Sequence, residues 1–470
     1  MALRYAFRVA AFAVAVLVSG TAYANGPALV VDVDSGRVLH AERATEPWFP
    51  ASITKLMTTY VALDMVRDGR ASMDQLLSVS EDAARLPPSK MAFKPGSQIR
   101  LDNALKIIMV KSANDVAATI AENLGGSAEA FAGMMNDAAA KLGMRESHFV
   151  NPHGLPDDRQ QTSARDMAIL ARALIREFPE YGGLFEIGAI QYGRRIMRNH
   201  NGLIGRYPGA NGMKTGFICA AGFNVVATAE RDGKRLITVV LGAPSANERT
   251  MRAANLFDRG FGASAGILNP MVDLLPASAT TEPPNMRSVI CDRRGPVPDE
   301  DDSQSQTMAG TVPSGPLASG LLAFAGMPQL APGAPTILEP RGPVQPIRVW
   351  LGLNPPSQTE LAKQAEEEEA SEKASKATKA ASSKKGKKSS STKVVDKDDG
   401  RASISVKPVS GSKKEAASAK SSDKKAAAEA KESAPSNAKS KGKAAAGKPL
   451  QLNGGKSAAK AESKQTSKAQ

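Results

Sequence analysis

Aromatic side chains make up only 4% of this 470-residue chain, and none follows Trp350. Lys, Ala and Ser take over there, and such a stretch cannot bury enough apolar surface to offset its chain entropy. Residues 354–470 are therefore expected to form a disordered basic tail. Cysteine is almost absent too, with Cys219 and Cys291 the only two. They allow one disulfide in an oxidising compartment, or else two buried free thiols. Histidine is sparse as well, with four in the chain. His148 and His153 lie in a proline-containing loop with no third ligand nearby, which fits loop packing better than a metal site. No metal and no cofactor is expected. Beyond the N-terminus no apolar run reaches the roughly 20 residues that spanning requires, which excludes a transmembrane helix in the mature chain.

What is present begins with a secretory signal. Arg4 and Arg8 flank the start, Val9 to Val18 is apolar, and Ala22-Tyr23-Ala24 reads as a small-x-small cleavage site. Residues 1–24 are assigned to a signal peptide and the product to a bacterial periplasm. Net formal charge is +14, yet Leu351 to Gln470 holds 26 lysines and arginines against 14 acids, so the first 350 residues are close to neutral. The tail would suit nucleic acid on composition, but export argues against that partner. Anionic envelope polymers suit an exported chain better, and a solvated spacer suits the composition best.

Between signal and tail the pattern is that of one mixed domain, residues 25–262. Pro27–Val33 and Arg37–Glu42 flank the turn Asp34-Ser35-Gly36 as a hairpin. A helix follows from Ser52, with Leu56, Met57, Tyr60, Val61 and Met65 on one face. Residues 70–100 are loop-rich, with short strands around Leu77–Val79 and Gln98–Arg100. Helices are predicted over Asn103–Val110, Asp115–Leu124, Ala128–Leu142 and Ala164–Glu177, the last capped by Thr162-Ser163. Met213–Phe217, Gly222–Glu230 and Arg235–Gly242 read as a three-strand meander with a tight turn at Asp232-Gly233. Ser245 caps a final helix, Asn247–Phe261. This order predicts an α+β (mixed α/β) fold: one antiparallel sheet flanked by helices, with a helical insert and its N- and C-terminal strands adjacent. Residues 263–353 read as a Pro/Gly-rich linker or reduced C-terminal region, within which Ile347–Leu353 is a lone strand or docking segment.

The chemistry is concentrated in three short motifs. Ser52-Ile53-Thr54-Lys55 sets a hydroxyl and an amine one helical turn apart, at a helix start where backbone N–H groups favour developing negative charge. A lysine kept neutral by burial could take the serine's proton. Alone the pattern means little, because the tail repeats it at Ser382/Lys385, Ser421/Lys424 and Ser436/Lys439. Ser112-Ala113-Asn114 then follows in order, offering a hydroxyl for proton relay and an amide for a substrate carbonyl. Lys214-Thr215-Gly216 comes third. It supplies positive charge for an anionic substrate end, a hydroxyl for a carboxylate, and a glycine that lets substrate lie along a strand edge. Ser-x-x-Lys with Ser-Asp-Asn and Lys-Thr-Gly is the signature of penicillin-binding proteins and class A β-lactamases, and the middle element here keeps its outer two residues. The later Ser245-Ala246-Asn247 is out of order and reads as a helix cap.

With these motifs, the flanking Phe49-Pro50-Ala51, Lys90-Met91, Lys94-Pro95-Gly96, Phe149-Val150-Asn151-Pro152-His153-Gly154-Leu155-Pro156-Asp157, Ser163-Ala164-Arg165-Asp166 and Ala221-Gly222-Phe223-Asn224 complete a resemblance. From about Ala28 to Phe261 the chain resembles the low-molecular-mass penicillin-binding proteins, serine-type D-Ala-D-Ala carboxypeptidases. The resemblance implies a β-lactamase/transpeptidase-like fold. It also implies two-step acyl transfer on peptidoglycan stem peptides, with β-lactams as covalent inhibitors. Ser52 would be the nucleophile, Lys55 the base and Ser112 the relay, with Asn114, Lys214, Thr215, Gly216 and Phe217 binding substrate. The oxyanion hole would be the N–H groups of Ser52 and Phe217. Ile218-Cys219 departs from the polar or acidic residues common there, and the amphipathic C-terminal helix of many relatives is not found. A class A β-lactamase would need a Glu-x-x-Leu-Asn string, which does not occur between Asn114 and Lys214. The motifs leave open a D,D-endopeptidase acting on cross-links, and a wall-binding protein without activity is the third class considered.

Overall fold

The structure, a computed structural model, describes residues 26–292, 338–360 and 363. The expected signal peptide and the tail beyond residue 363 lie outside the described residues, as does the stretch 293–337.

The first hairpin is β1 (Ala28–Asp32) and β2 (Val38–Glu42). A short 3-10 turn, Ala51–Thr54, leads into α1 (Lys55–Arg67). There follow β3 (Leu76–Ser78), α2 (Glu81–Arg85), β4 (Gln98–Arg100), α3 (Leu101–Val110), α4 (Asn114–Gly125), α5 (Ala128–Leu142) and α6 (Ala164–Glu177). Then come β5 (Ala189–Tyr192), β6 (Arg195–Arg198), β7 (Ala210–Ile218), β8 (Gly222–Arg231), β9 (Lys234–Ala243) and α7 (Ala246–Gly262). The short α8 (Arg287–Ile290) and β10 (Ile347–Arg348) complete the described elements.

The main sheet has the order β2-β1-β9-β8-β7, antiparallel throughout. The domain's first strand and the last strand of its meander pair in it as the sequence predicts, with Ala28 opposite Val240 and Asp32 opposite Leu236. Residues Ala28–Asp32, Gly222–Ala229 and Leu236–Ala243 are buried without alternation, so both faces of the central strands are covered. Helices α6 and α7 pack against these strands. Edge strand β7 lies against the 3-10 turn that carries Ser52.

Local signals fix the helix ends. Ser127, Ser163 and Ser245 each accept, at Oγ, a backbone N–H three residues on, from Ala130, Asp166 and Glu248. The hairpin β5–β6 and the five-residue α2 are additions to the sequence reading. Both are short, and β5–β6 is supported by a partner far along the chain: β10 pairs parallel with β5.

The segment Ile347–Leu353 is thus docked. Val349 is buried and donates its N–H to Gln191 O at 2.9 Å. Gly352 N donates to Gln98 O at 2.7 Å, and Asn103 Nδ2 donates to Trp350 O at 3.2 Å. The segment therefore joins the β5–β6 hairpin to β4 and α3. Cys219 and Cys291 form a disulfide, which decides between the two alternatives left open by the sequence and ties the β7–β8 turn to α8.

Candidate active site

Ser52 sits on a turn held from three sides. Ala51 adopts a positive φ of 50°, an unfavourable conformation for a residue with a Cβ. Its surroundings hold it there. Asn224 on β8 donates from Nδ2 to Phe49 O at 2.9 Å and Pro50 O at 3.1 Å, and accepts Gly242 N at 2.9 Å. Gly154 packs so closely that an added Cβ would lie 1.9 Å from Ala51 O. Gly216 on β7 does the same from the other side, where a Cβ would meet Ser52 N at 2.7 Å and Ile53 N at 2.9 Å. Between buried Ala51 and Ile53, Ser52 alone is partly open.

Lys55 opens α1 and is completely buried. Its Nζ donates to Ser52 Oγ at 3.1 Å, Asn114 Oδ1 at 2.8 Å and His153 O at 2.6 Å. The loop supplying that carbonyl is pinned to the same helix, since Thr58 Oγ1 donates to Pro152 O at 2.6 Å and Gln160 Nε2 to Thr54 Oγ1 at 3.2 Å. The His153 ring is buried beside Lys55. Burial first, and that cation second, pull its pKa down to about 3, so the imidazole is neutral. Its Nδ1 accepts Leu155 N at 3.2 Å, the loop-packing role expected from the sequence.

Asn114 begins α4. Besides Lys55 it engages Pro87 O through Nδ2 at 3.0 Å, and its backbone N–H donates to Ser89 O at 2.7 Å. Asp115 is buried and accepts the N–H groups of Met91 and Ala92 at 3.1 and 2.8 Å, as well as Val116 N at 2.9 Å. It therefore anchors the 86–92 loop in addition to charging a helix N-terminus. Ser112, two residues earlier than Asn114, has a φ of 62° and is buried, and its Oγ has no hydrogen-bond partner among the described residues.

On β7, Lys214 and Thr215 are both buried. Lys214 Nζ donates to Thr215 O at 2.9 Å, whereas Thr215 Oγ1 is without a partner among the described residues. Phe217 stacks on Phe223 with ring centroids 4.2 Å apart. Ser52, Lys55 and Asn114 are thus brought into one hydrogen-bonded group, and Gly216 into contact with its backbone.

Four residues in this assembly have roles that the motif reading did not assign. Asn224 is a buried amide inside a run of apolar strand residues, a position that demands hydrogen bonds and so carries a readable signal. Gly154 and His153 act through backbone atoms and leave no such signal. Arg249, fully buried on α7, donates to Asn224 O at 3.4 Å and His200 O at 3.2 Å. Farther out, buried Arg165 pairs with Glu146 at 3.0 Å and Asp166 at 2.7 Å, fixing the turn before the 148–158 loop. Burial, with Glu146 beside it, raises the pKa of Asp166.

A buried lysine bonded to a serine, on a turn enclosed by the edge strand of an antiparallel sheet flanked by helices, is set in a transpeptidase-like fold. The profile of the D-alanyl-D-alanine carboxypeptidase family matches residues 15–245, and the chain belongs to that family. D-alanyl-D-alanine carboxypeptidase DacB2 of Mycobacterium tuberculosis is 31% identical over 267 residues, covering 53% of this chain and 86% of the relative. DacC of Escherichia coli is 35% identical over 240 residues, covering 50% of this chain but only 60% of the relative's length. The crystal structure of the carboxypeptidase DacD from Francisella tularensis is similar at a TM-score of 0.50 and 29% identity, covering 50% of this chain and 70% of that one.

Proposed function

We propose that the chain is a penicillin-binding serine D-alanyl-D-alanine carboxypeptidase that removes the terminal D-Ala from peptidoglycan stem pentapeptides and so limits cross-linking. The observation carrying this reading is the 3.1 Å bond from Lys55 Nζ to Ser52 Oγ, on a turn closed by Gly216 of the edge strand. Ser52 Oγ attacks the carbonyl carbon of the penultimate D-Ala, and its proton passes to Lys55. A lysine accepts a proton only in its neutral form, so the ammonium that donates to Ser52 Oγ, Asn114 Oδ1 and His153 O must first lose a proton, a loss that full burial favours. The C–N bond then breaks. D-Ala leaves as an amine, protonated through Ser112 Oγ, and the acyl group stays on Ser52. Water attacks this ester, gives up a proton to the same base, and Ser52 Oγ is regenerated as the shortened peptide departs.

The N–H groups of Ser52 and Phe217 stabilise the oxyanion in both steps, each such donor being worth about 10²–10³ in rate. Asn114 orients Lys55 through Oδ1 and has a second N–H for a substrate carbonyl. Lys214 and Thr215 receive the terminal carboxylate, and the peptide lies along β7 as an added strand. A β-lactam carbonyl enters by the same attack, with ring opening in place of amine loss. The disulfide supports an exported, periplasmic protein, because such bonds persist in oxidising compartments.

The test is D-Ala release by the full chain from a stem pentapeptide, compared with cleavage of a cross-linked dimer. Release from the pentapeptide with little dimer cleavage is expected. Faster cleavage of the dimer would make the protein a D,D-endopeptidase, and no reaction with either would leave a wall-binding role.

A further inference from the structure

The turn that ends β7 is gripped by a segment from beyond the family match, which stops at residue 245. Ile218 and Gly222 are the last ladder pair of β7 and β8, so Cys219, Ala220 and Ala221 form the turn between them. Three contacts hold it. Cys219 is bonded to Cys291, Ala220 O accepts Met286 N at 2.9 Å, and Ala221 O accepts Trp48 Nε1 at 2.9 Å. The first two come from residues 286–291, which are themselves anchored because Met286 and Ile290 are buried in the core.

These contacts tie together the two places that supply the oxyanion donors. Trp48 stands four residues before Ser52, and Cys219 two residues after Phe217. Met286 and Trp48 also meet at β9, where a Cβ added to Gly242 would lie 2.3 Å from Trp48 Cζ2 and 3.1 Å from Met286 Sδ. Gly242 N in turn donates to Asn224, the residue that holds Phe49 O and Pro50 O. Strand β7 has β8 as its one neighbour in the main sheet, so beyond the ladder its end depends on the turn contacts. A shift of about 1 Å in a group that must meet the transition state can cost on the order of 10² in rate.

We propose that the Cys219–Cys291 disulfide, with Met286, positions the Phe217 N–H against Ser52, so that full activity requires the disulfide to have formed. Cys219, Cys291 and Met286 are positioning residues, acting through the backbone of the turn. The inference rests on the carboxypeptidase reading above, and it brings in Met286 and Cys291 from outside the region matched by the family. A dithiol reverses the effect: two electrons and two protons pass to the bridged sulfurs, which become two thiols, and the dithiol closes to its own disulfide.

The test compares the full chain oxidised and after reduction with dithiothreitol and gel filtration, with free thiols counted by alkylation and mass spectrometry. Values of kcat and KM for D-Ala release from a stem pentapeptide are taken per site that labelled penicillin titrates, so unfolded molecules do not count. Reduction should lower kcat about tenfold with KM unchanged, the signature of an interaction made in the transition state. Reoxidation should restore the rate. Cys219→Ser with Cys291→Ser should match the reduced protein and give no response to dithiothreitol. Equal kcat in the two forms overturns the proposal, and so does a change confined to KM. A reduced protein that takes no label and shows no cooperative melt also overturns it, since the disulfide would then hold the fold and not the donor. If the oxidised chain releases D-Ala and its redox state makes no difference, only the inference falls. If the oxidised chain releases none, the carboxypeptidase reading falls and takes the inference with it.

Discussion

Gly216 shows how much of the site is decided by atoms that a side chain would displace. The sequence assigns this glycine to substrate lying along the strand, yet its nearest neighbours are Ser52 N, Ile53 N and Pro50 O of the same chain. Gly216→Ala would push backbone against backbone at Ser52, moving the N–H proposed to hold the oxyanion. Expected is a loss in kcat of about 10²–10³, the cost of one such donor, in a variant that still unfolds cooperatively; steady-state kinetics with a circular-dichroism melt checks both. Ser52, Lys55, Ser112, Asn114, Lys214 and Thr215 are the residues the sequence proposes for the site, because the chemistry demands particular side chains in a particular order, and the structure joins Ser52, Lys55 and Asn114 by hydrogen bonds. Gly154, Asn224 and the positive φ of Ala51 are much less legible in the sequence. Their roles come from contacts between segments about a hundred or more residues apart, and only the buried amide of Asn224 carries a signal of its own.

Elements whose signals are local are those the sequence predicts well. Helices α5 and α6 match their expected spans, Ala128–Leu142 and Ala164–Glu177, because serine caps and αL glycine at Gly143 mark their ends. Strands β7, β8 and β9 run one to three residues past expected ends, where ladder pairing continues through residues with little strand signal, such as Gly212, Arg231 and Lys234. Hairpin β5–β6 is not legible, since Ala-Ile-Gln-Tyr and Arg-Ile-Met-Arg are too short to show a period and lean on β10, which arrives far later. That dependence predicts the effect of shortening the chain. Ending it after Leu353 should leave the unfolding temperature of the folded body unchanged. Ending it after Ile337 removes the β10 pairing and the burial of Val349, worth about 2 kcal/mol. The unfolding temperature should then drop by roughly 4–8 °C. Equal melts for the two truncations would show that the docked segment contributes nothing to stability.

At the scale of the whole molecule, charge and fold are separate properties of this chain. Most of the +14 belongs to the stretch from Leu351 onward, while the body that carries the site is nearly neutral. The antiparallel sheet with its helical insert is legible because apolar strand runs and helix signals alternate in a restrictive order. The disulfide and the returning C-terminal segment are not, since two cysteines do not state whether they pair and a seven-residue patch does not state what it docks on. What unites the molecule is the claim that three distant motifs fold around one nucleophile. The direct measurement is mass spectrometry of the full chain after exposure to labelled penicillin, with the modified peptide sequenced. One label on Ser52, and none on Ser52→Ala, is the predicted result; a label that persists in Ser52→Ala, or a wild-type chain that takes none, would contradict it.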